Sequence, residues 1–158
     1  MLAFLYHLIG DADVYTLLDR NQEITLVHKL VQEEFLSGDK MEVAIQAQKA
    51  ARPKVPVALI TGKLTASAGE DIAVAFRGRD KVRFIGEPSA GYLSGNDLFD
   101  LPFGIQMALT TGLIADPAGH YTENIVPDIL IEKQDNFKDL LLDKNIQEAL
   151  GFFKSLRE

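Results

Sequence analysis

The chain has 158 residues, enough for one domain with a buried core, and 47% of them are hydrophobic while 25% are charged. This composition excludes a disordered chain and a fibrous protein. The net charge is −7, so the phosphate backbone of a nucleic acid would be repelled and no nucleic-acid partner is expected. Cysteine is absent, which excludes disulfides and thiolate chemistry and leaves the localisation undetermined.

The first third of the chain combines an apolar start with strand patterns. Residues 1–10, MLAFLYHLIG, are too short an apolar run to span a membrane and lack the basic leader of a signal peptide. Such an uncapped start predicts that further sequence precedes it or that a partner covers it. Residues 14–18 and 23–31 are β-rich runs joined by DRNQ, which predicts a hairpin. Residues 39–51 have apolar positions at near-helical spacing, which predicts a short amphipathic helix ended by Pro53.

The middle of the chain predicts a strand, a helix and a second strand. Residues 55–62, VPVALITG, are typical of a strand buried on both faces. Residues 66–78 have helical period, and residues 81–87 return to a strand pattern. This order predicts a crossover between parallel strands and therefore an α/β fold.

The last part of the chain continues with strands and ends in a helix. The expected elements are a glycine-rich loop at 89–96, a strand at 104–116, a turn at 116–124, a short strand at 126–132 and a helix at 143–158. Asp143 is expected to cap that helix, and Ile146, Ala149, Leu150 and Phe153 to share its inner face. No repeat or linker is present, so we expect residues 1–158 to form a single domain.

The stretch TASAGED, residues 65–71, places Ser67 at the start of the predicted central helix. Ser67 and Glu70 fit a capping box, in which the serine hydroxyl accepts from a helix N–H and the glutamate reaches back to the serine N–H. The same position suits a nucleophile, because free N–H groups and the positive end of the helix dipole would stabilise an oxyanion there. The small residues on both sides of Ser67 would let a peptide approach closely, and a cap alone does not require them.

Four sequence blocks, taken in order, resemble the core of the S41 serine peptidases, the family of the C-terminal processing proteases. They are VPVALITG, TASAGEDIAVAFRGR, VRFIGEPSAGYLSGN and LPFGIQMALTTGLIADPAGHYTENIVPDI, and they cover residues 55–131. The resemblance implies a ClpP/crotonase-like β/α core, a mixed sheet flanked by helices, with Ser67 as nucleophile and the Ala68 N–H as an oxyanion donor. It also implies hydrolysis of peptide bonds in an extended peptide or protein substrate.

One departure from the family pattern indicates a subgroup. Processing proteases carry a general-base lysine in the turn that matches Ser89-Ala90-Gly91-Tyr92, so Tyr92 stands at the lysine position and a Ser-Lys dyad is not expected; Lys63 lies outside the motif. The form SAGxxSGN resembles the branch of the tricorn-type proteases and nisin-resistance proteins, whose histidine base lies upstream. We therefore expect this chain to be the C-terminal half of an S41 domain, poorly active without that base. The resemblance suggests an extracytoplasmic or membrane-anchored parent.

The supporting site residues carry a weaker signal. Glu123 falls where related enzymes hold a carboxylate, and His120 is the local candidate base, although simple surface exposure also explains it. The candidate substrate-binding residues are Gly91, Ser94, Asn96 and Asp97, in the loop that the resemblance places along the substrate cleft. The competing interpretation of that loop is a glycine-led turn with local hydrogen bonds. The remaining histidines, His7 and His28, are better explained by packing.

Two other classes of protein remain open. A degenerate S41-like module could bind a peptide or an apolar ligand without proteolysis, as the interphotoreceptor retinoid-binding proteins with this fold do. The chain could also assemble with a second copy of itself or with a missing N-terminal half. No metal or organic cofactor is expected, because the sequence holds neither an HExxH motif nor a phosphate-cradling GxxxxGK motif.

Overall fold

In the computed structural model, the described residues are 1–45, 52, 54–132 and 136–157. The N-terminal part begins with a 3-10 turn and a short helix and continues as an antiparallel meander. The turn spans Leu2–Leu5, and the next elements are α1 (Tyr6–Ile9), β1 (Ala12–Leu18), β2 (Ile24–Val31), β3 (Glu34–Ser37) and β4 (Lys40–Ala44). The expected hairpin is confirmed, since β1 and β2 are antiparallel and Thr16 lies opposite Val27.

The second part of the chain contains the predicted strand, helix and strand. Its elements are β5 (Val57–Thr61), α2 (Ala68–Phe76), β6 (Val82–Gly86), β7 (Ser94–Leu101), a 3-10 turn (Pro102–Gly104), β8 (Ile105–Ala115), β9 (Ile129–Leu130), a 3-10 turn (Leu140–Leu142) and α3 (Lys144–Ser155). β5 and β6 are parallel neighbours, with Leu59 opposite Phe84, so α2 is the expected crossover. The α/β class is therefore confirmed.

The strands divide between two sheets. The larger sheet has the order β4-β3-β2-β1-β8-β7 and is antiparallel, and the smaller has the order β5-β6-β9 and is parallel. β8 pairs with β1 only through residues 113–115, whereas it pairs with β7 along almost its whole length. Most of β7 and β8 therefore forms a two-stranded ribbon beyond the sheet, and Phe103 at its tip is 99% exposed.

The core lies where α2 packs against β1. Alternate residues of β1 are buried, as expected for a strand with one face on a core. The buried cluster contains apolar residues from the first helical turns, both sheets and α2: Leu2, Ile9, Val14, Leu30, Ala73, Val74, Ala75, Phe76, Phe84, Leu93, Ile114 and Ile125. No helix within the described ranges is long and apolar enough to cross a membrane.

The helix expected at residues 39–51 is wrong where it can be compared with the structure. Residues 40–44 form β4, which pairs with β3 so that Ser37 lies opposite Lys40, and residues 46–51 lie outside the described residues. Met41 and Val43 alternate with polar residues, so they also fit the period of a strand. Gly38, with φ of +61°, forms the tight turn that starts this hairpin.

The C-terminal helix is largely as expected. Asp143 caps α3, accepting hydrogen bonds from the N–H groups of Asn145 at 2.9 Å and Ile146 at 3.2 Å. The predicted inner face is confirmed at the buried Ala149, but Leu150 is 44% exposed, because the helix packs mainly on β5 and β6 through one narrow stripe.

Gly86 allows the closest approach between β5 and β6. Its φ is +114°, and a Cβ atom added there would lie 2.2 Å from the carbonyl oxygen of Thr61. We expect Gly86→Ala to lower the free energy of unfolding by roughly 3 kcal/mol, because the backbone of β5 would have to move. Gly151→Ala is the matched control: in α3 its Cβ would meet no atom within 4 Å, so it should raise stability by up to about 1 kcal/mol. Urea unfolding of both variants measures the change in the free energy of unfolding. Equal changes in the two variants would contradict the expected strain at Gly86.

Candidate active site

Ser67 lies on the turn that connects β5 to α2, and its side chain is exposed. Its φ is +49° and its ψ is −119°, a combination that residues other than glycine rarely adopt. The turn before it is closed by Thr65, whose Oγ1 accepts a hydrogen bond from the Gly62 N–H at 3.0 Å. A serine held in a strained strand-to-helix turn presents its hydroxyl to the solvent, as a nucleophile requires.

The cap of α2 is made mainly by Glu70 and the Ser67 backbone. The Ser67 N–H donates to Glu70 Oε2 at 2.8 Å, and the Glu70 N–H donates to the Ser67 carbonyl oxygen at 2.7 Å. The Ser67 hydroxyl approaches the Glu70 N–H and so completes the outline of a capping box, but it makes no cap hydrogen bond of its own. The predicted capping box is present, and it leaves the hydroxyl proton of Ser67 without an acceptor in the cap.

The first N–H of the helix is also available. Among the described residues the Ala68 N–H has no hydrogen-bond acceptor. It belongs to the residue that follows Ser67 and stands at the positive end of α2. An N–H in that position can donate to an oxyanion that forms on a carbonyl attacked by Ser67.

The Glu70 carboxylate is completely buried and joins the Ser67 turn to the loop after β6. Oε1 accepts hydrogen bonds from the Ser89 hydroxyl at 2.5 Å and the Gly91 N–H at 2.8 Å. Oε2 accepts from the Tyr92 N–H at 2.8 Å, in addition to the Ser67 N–H. All four donors point at acceptor positions of one carboxylate, so the group is fully satisfied without a cation.

The loop around Gly91 is fixed from two sides. The Ser89 oxygen accepts from the Ile125 N–H at 2.8 Å, which ties the loop to the segment before β9. Gly91 has a φ of +85°, and a Cβ atom there would lie 3.0 Å from the Glu123 carbonyl oxygen. Tyr92 is anchored through its backbone N–H, while the residue as a whole is 65% exposed.

The structure brings only some of the predicted site residues together. The N–H groups of Gly91 and Ser67 both donate to the Glu70 carboxylate. The Glu123 carbonyl oxygen lies next to Gly91, while the Glu123 residue is exposed. His120 instead pairs with Asp116 at 3.2 Å and lines a small cavity with Val74 and Arg77, near the other end of α2. At the rise of an α-helix this is about 10–15 Å along α2 from Ser67.

The residues predicted in the substrate loop begin a strand. Ser94, Asn96 and Asp97 belong to β7 rather than to the glycine-rich loop expected at 89–96. Asn96 Oδ1 accepts from Thr110 Oγ1 and Asp97 Oδ2 from Thr111 Oγ1, both at 2.8 Å, so these side chains bind across to β8. Pairing with β8, the next strand along the chain, explains the difference, because the glycines and Asn96 favour a turn locally and the cross-strand partners decide for a strand.

In the described part of the chain, no basic side chain is bonded to the Ser67 hydroxyl. Within the described residues, no hydrogen bond joins it to a histidine or a lysine; Lys63 pairs with Glu87 at 3.0 Å. His28 is buried and stacks on Tyr15 with 4.3 Å between ring centroids, while its Nε2 lies 3.2 Å from Ser37 Oγ, as the packing interpretation predicts. Across the same ranges, no group of three or more histidine or acidic side chains is placed to hold a metal ion.

Asp71 is the feature of this region that sequence reasoning missed. Its Oδ1 is buried and has no hydrogen-bond partner. Burial, together with the nearby Glu70 charge, raises the pKa of Asp71 to about 6, and burial together with the Asp71 charge raises the pKa of Tyr15 to about 12. In the sequence, Asp71 looks like an ordinary acid in the first turn of a helix, where such residues favour the dipole.

The α/β-hydrolases place a serine on a strained strand-to-helix turn, and Ser67 lies on a turn of this type. The profile of peptidase family S41 matches residues 10–131. The nisin-resistance protein of Lactococcus lactis subsp. lactis is 31% identical over 131 residues, which are 82% of this chain and 40% of that protein. The chain therefore belongs to peptidase family S41, and the resemblance read from the four sequence blocks is confirmed.

Solved structures agree on the fold. A lipoprotein from Streptococcus agalactiae superposes with a TM-score of 0.65 at 24% identity, over 98% of this chain and 49% of that one. The photosystem II D1 C-terminal processing protease superposes with a TM-score of 0.62 at 22% identity, over 95% of this chain and 34% of that one. The chain thus spans less than half of the length of each of these relatives.

Replacement of Glu70 tests whether one carboxylate holds the site together. Glu70→Gln keeps the size of the side chain but replaces one carboxylate oxygen with an NH₂ group. That group would face the two donors that the oxygen accepts from in the wild type. We expect the free energy of unfolding to fall by roughly 3 kcal/mol in urea unfolding. Glu148→Gln, on the exposed side of α3, is the control and should change little. Two variants of equal stability would show that the four hydrogen bonds to Glu70 are unimportant.

The raised pKa of Asp71 predicts a pH dependence of stability. Because the folded protein holds this proton more tightly than the unfolded chain, the free energy of unfolding should fall as the pH rises from 3.8 to about 6, and stay lower above that. Asp71→Asn should remove this part of the decline, whereas Asp80→Asn, at an exposed position, should keep it. Urea unfolding at pH values across this window gives the difference between wild type and each variant. A decline that survives in Asp71→Asn would contradict the prediction.

Proposed function

We propose that this chain carries the nucleophile of a serine peptidase and that Ser67 attacks the peptide carbonyl. The observation that supports this most strongly is the backbone of Ser67. Its conformation is costly, and the hydrogen bond from its N–H to the buried Glu70 holds it in place. A serine needed only as a helix cap would have no use for this strain, whereas exposure of a nucleophile depends on it.

The mechanism follows from the groups around Ser67. Ser67 Oγ forms a bond to the carbonyl carbon of the substrate as its proton passes to a general base, and the Ala68 N–H donates to the resulting oxyanion. Collapse of this intermediate breaks the C–N bond, and the base returns the proton to the leaving amine. Water then attacks the acyl ester, which releases the acid and restores the serine hydroxyl.

The general base is proposed to be a histidine supplied from outside these 158 residues. Two observations support this. No histidine or lysine is hydrogen-bonded to the Ser67 hydroxyl in the described part of the chain, and Tyr92 occupies the position of the lysine of processing proteases. The substrate would be an extended peptide or protein, bound with its scissile carbonyl between Ser67 and Ala68.

A second candidate function is binding without proteolysis. The same lack of a base beside Ser67 favours it, because a serine hydroxyl without a base is a poor nucleophile. In a binding module, Ser67 and Glu70 would act only as the cap of α2. The two functions differ in whether Ser67 reacts with an electrophile.

Labelling with a fluorophosphonate probe tests the proposal. The intact mass of the 17.4 kDa chain shows whether one phosphonyl group is added. We expect slow labelling of the wild type, acceleration by added imidazole as a substitute base, and none in Ser67→Ala. Ser155→Ala, at the end of α3, should label like the wild type. A wild type that stays unlabelled with imidazole present would reject the peptidase and favour the binding module.

A further inference from the structure

A cavity of about 150 Å³ lies beside the first turn of α2. Ala68 and Asp71 line it from the helix, and Tyr15 of β1 and Phe35 of β3 line it from the large sheet. A cavity of about this volume can hold a molecule the size of benzene. It therefore has room for the stem and head group of one long side chain.

The Asp71 carboxylate gives the cavity its charge. The Asp71 side chain makes no hydrogen bond and no ion pair within the described residues, and its Oδ1 is buried. Met1 also lines the cavity, yet its amino group forms no ion pair with Asp71. Leaving a buried carboxylate oxygen unpaired is costly, so a cation that enters the cavity gains a partner that the folded chain does not provide.

The aromatic walls favour the same kind of ligand. Tyr15 and Phe35 line the cavity with aromatic rings, which attract cations, and both pack against His28, whose ring centroid lies 4.3 Å from that of Tyr15 and 5.6 Å from that of Phe35. Burial lowers the pKa of His28, so its ring does not supply a positive charge near neutral pH. An anion would meet an unpaired carboxylate in a chain of net charge −7.

We infer that this cavity is a specificity pocket that binds the cationic side chain of a lysine or arginine in the peptide substrate, with Asp71 as counter-ion. The inference rests on the proposed function, because it places the substrate at Ser67. Ala68 connects the two: its residue lines the cavity, and its N–H is the proposed oxyanion donor. A side chain in the cavity would therefore belong to a residue next to the scissile bond.

The first experiment uses small probes and the unmodified chain. Titration with n-butylammonium, followed by the amide resonances of the wild type, should shift the signals of Phe35, Ala68 and Asp71. n-Butanol, which has the same carbon chain without the charge, should bind at least about tenfold more weakly. Equal affinity for the two probes, or shifts confined to other parts of the chain, would overturn the inference without any variant having to fold.

The second experiment asks whether the ligand is a substrate side chain. Two fluorescent peptides, identical except for lysine or norleucine at one position, are bound to Ser67→Ala, which cannot turn them over. The lysine peptide should bind roughly tenfold more tightly; Asp71→Asn should abolish this preference, and Asp80→Asn, which removes the same charge elsewhere, should keep it. Butylammonium binding with no preference for the lysine peptide would overturn the substrate assignment and favour a cation from another protein segment. Neither binding measurement needs the Ser67 hydroxyl, so this inference and the proposed catalysis can fail separately.

Discussion

The buried carboxylate of Glu70 is the interaction on which the site depends. It accepts hydrogen bonds from the Ser67 N–H and from Ser89, Gly91 and Tyr92, so the Ser67 turn and the loop after β6 meet at one charge. A carboxylate removed from water must find donors for all its acceptor positions. The loop after β6 therefore has to approach α2, and the lack of a side chain at Gly91 lets the same loop lie against the Glu123 carbonyl oxygen.

Because of the same carboxylate, Ser67 can belong to the helix cap and still present its hydroxyl as a nucleophile would. In a simple capping box, the serine hydroxyl would be used to satisfy the helix end. Here the Glu70 carboxylate accepts from the N–H of Ser67, and the Ser67 carbonyl oxygen accepts from the N–H groups of Glu70 and Asp71. The capping box is present, and it holds the Ser67 backbone in place without forming a cap hydrogen bond to the hydroxyl. The unfavourable backbone angles of Ser67 are stabilised by a hydrogen bond to a buried carboxylate.

Much of the fold could be predicted from the sequence, because β1, β2, β5, β6, α2 and α3 each carry a clear period and a turn or cap signal. Residues 40–44 were misassigned because Met41 and Val43 fit both a helix and a strand, and only the partner strand β3 decides between them. Ser67 and Glu70 were found through local spacing. Asp71 was not, since its burial depends on Tyr15 and Phe35, more than thirty residues away in sequence, and a pattern of neighbours cannot show that a first-turn acid faces a cavity.

The convergence of separate segments on Glu70 has a consequence for how this site can change during evolution. Loss of Ser89 and loss of the Gly91 conformation each remove one hydrogen-bond donor from the same carboxylate oxygen. Substitutions at these positions should therefore be epistatic, each tolerated far better in a background where Glu70 has already been replaced. The site can thus be inherited intact or abandoned as a unit, with few viable intermediates between the two.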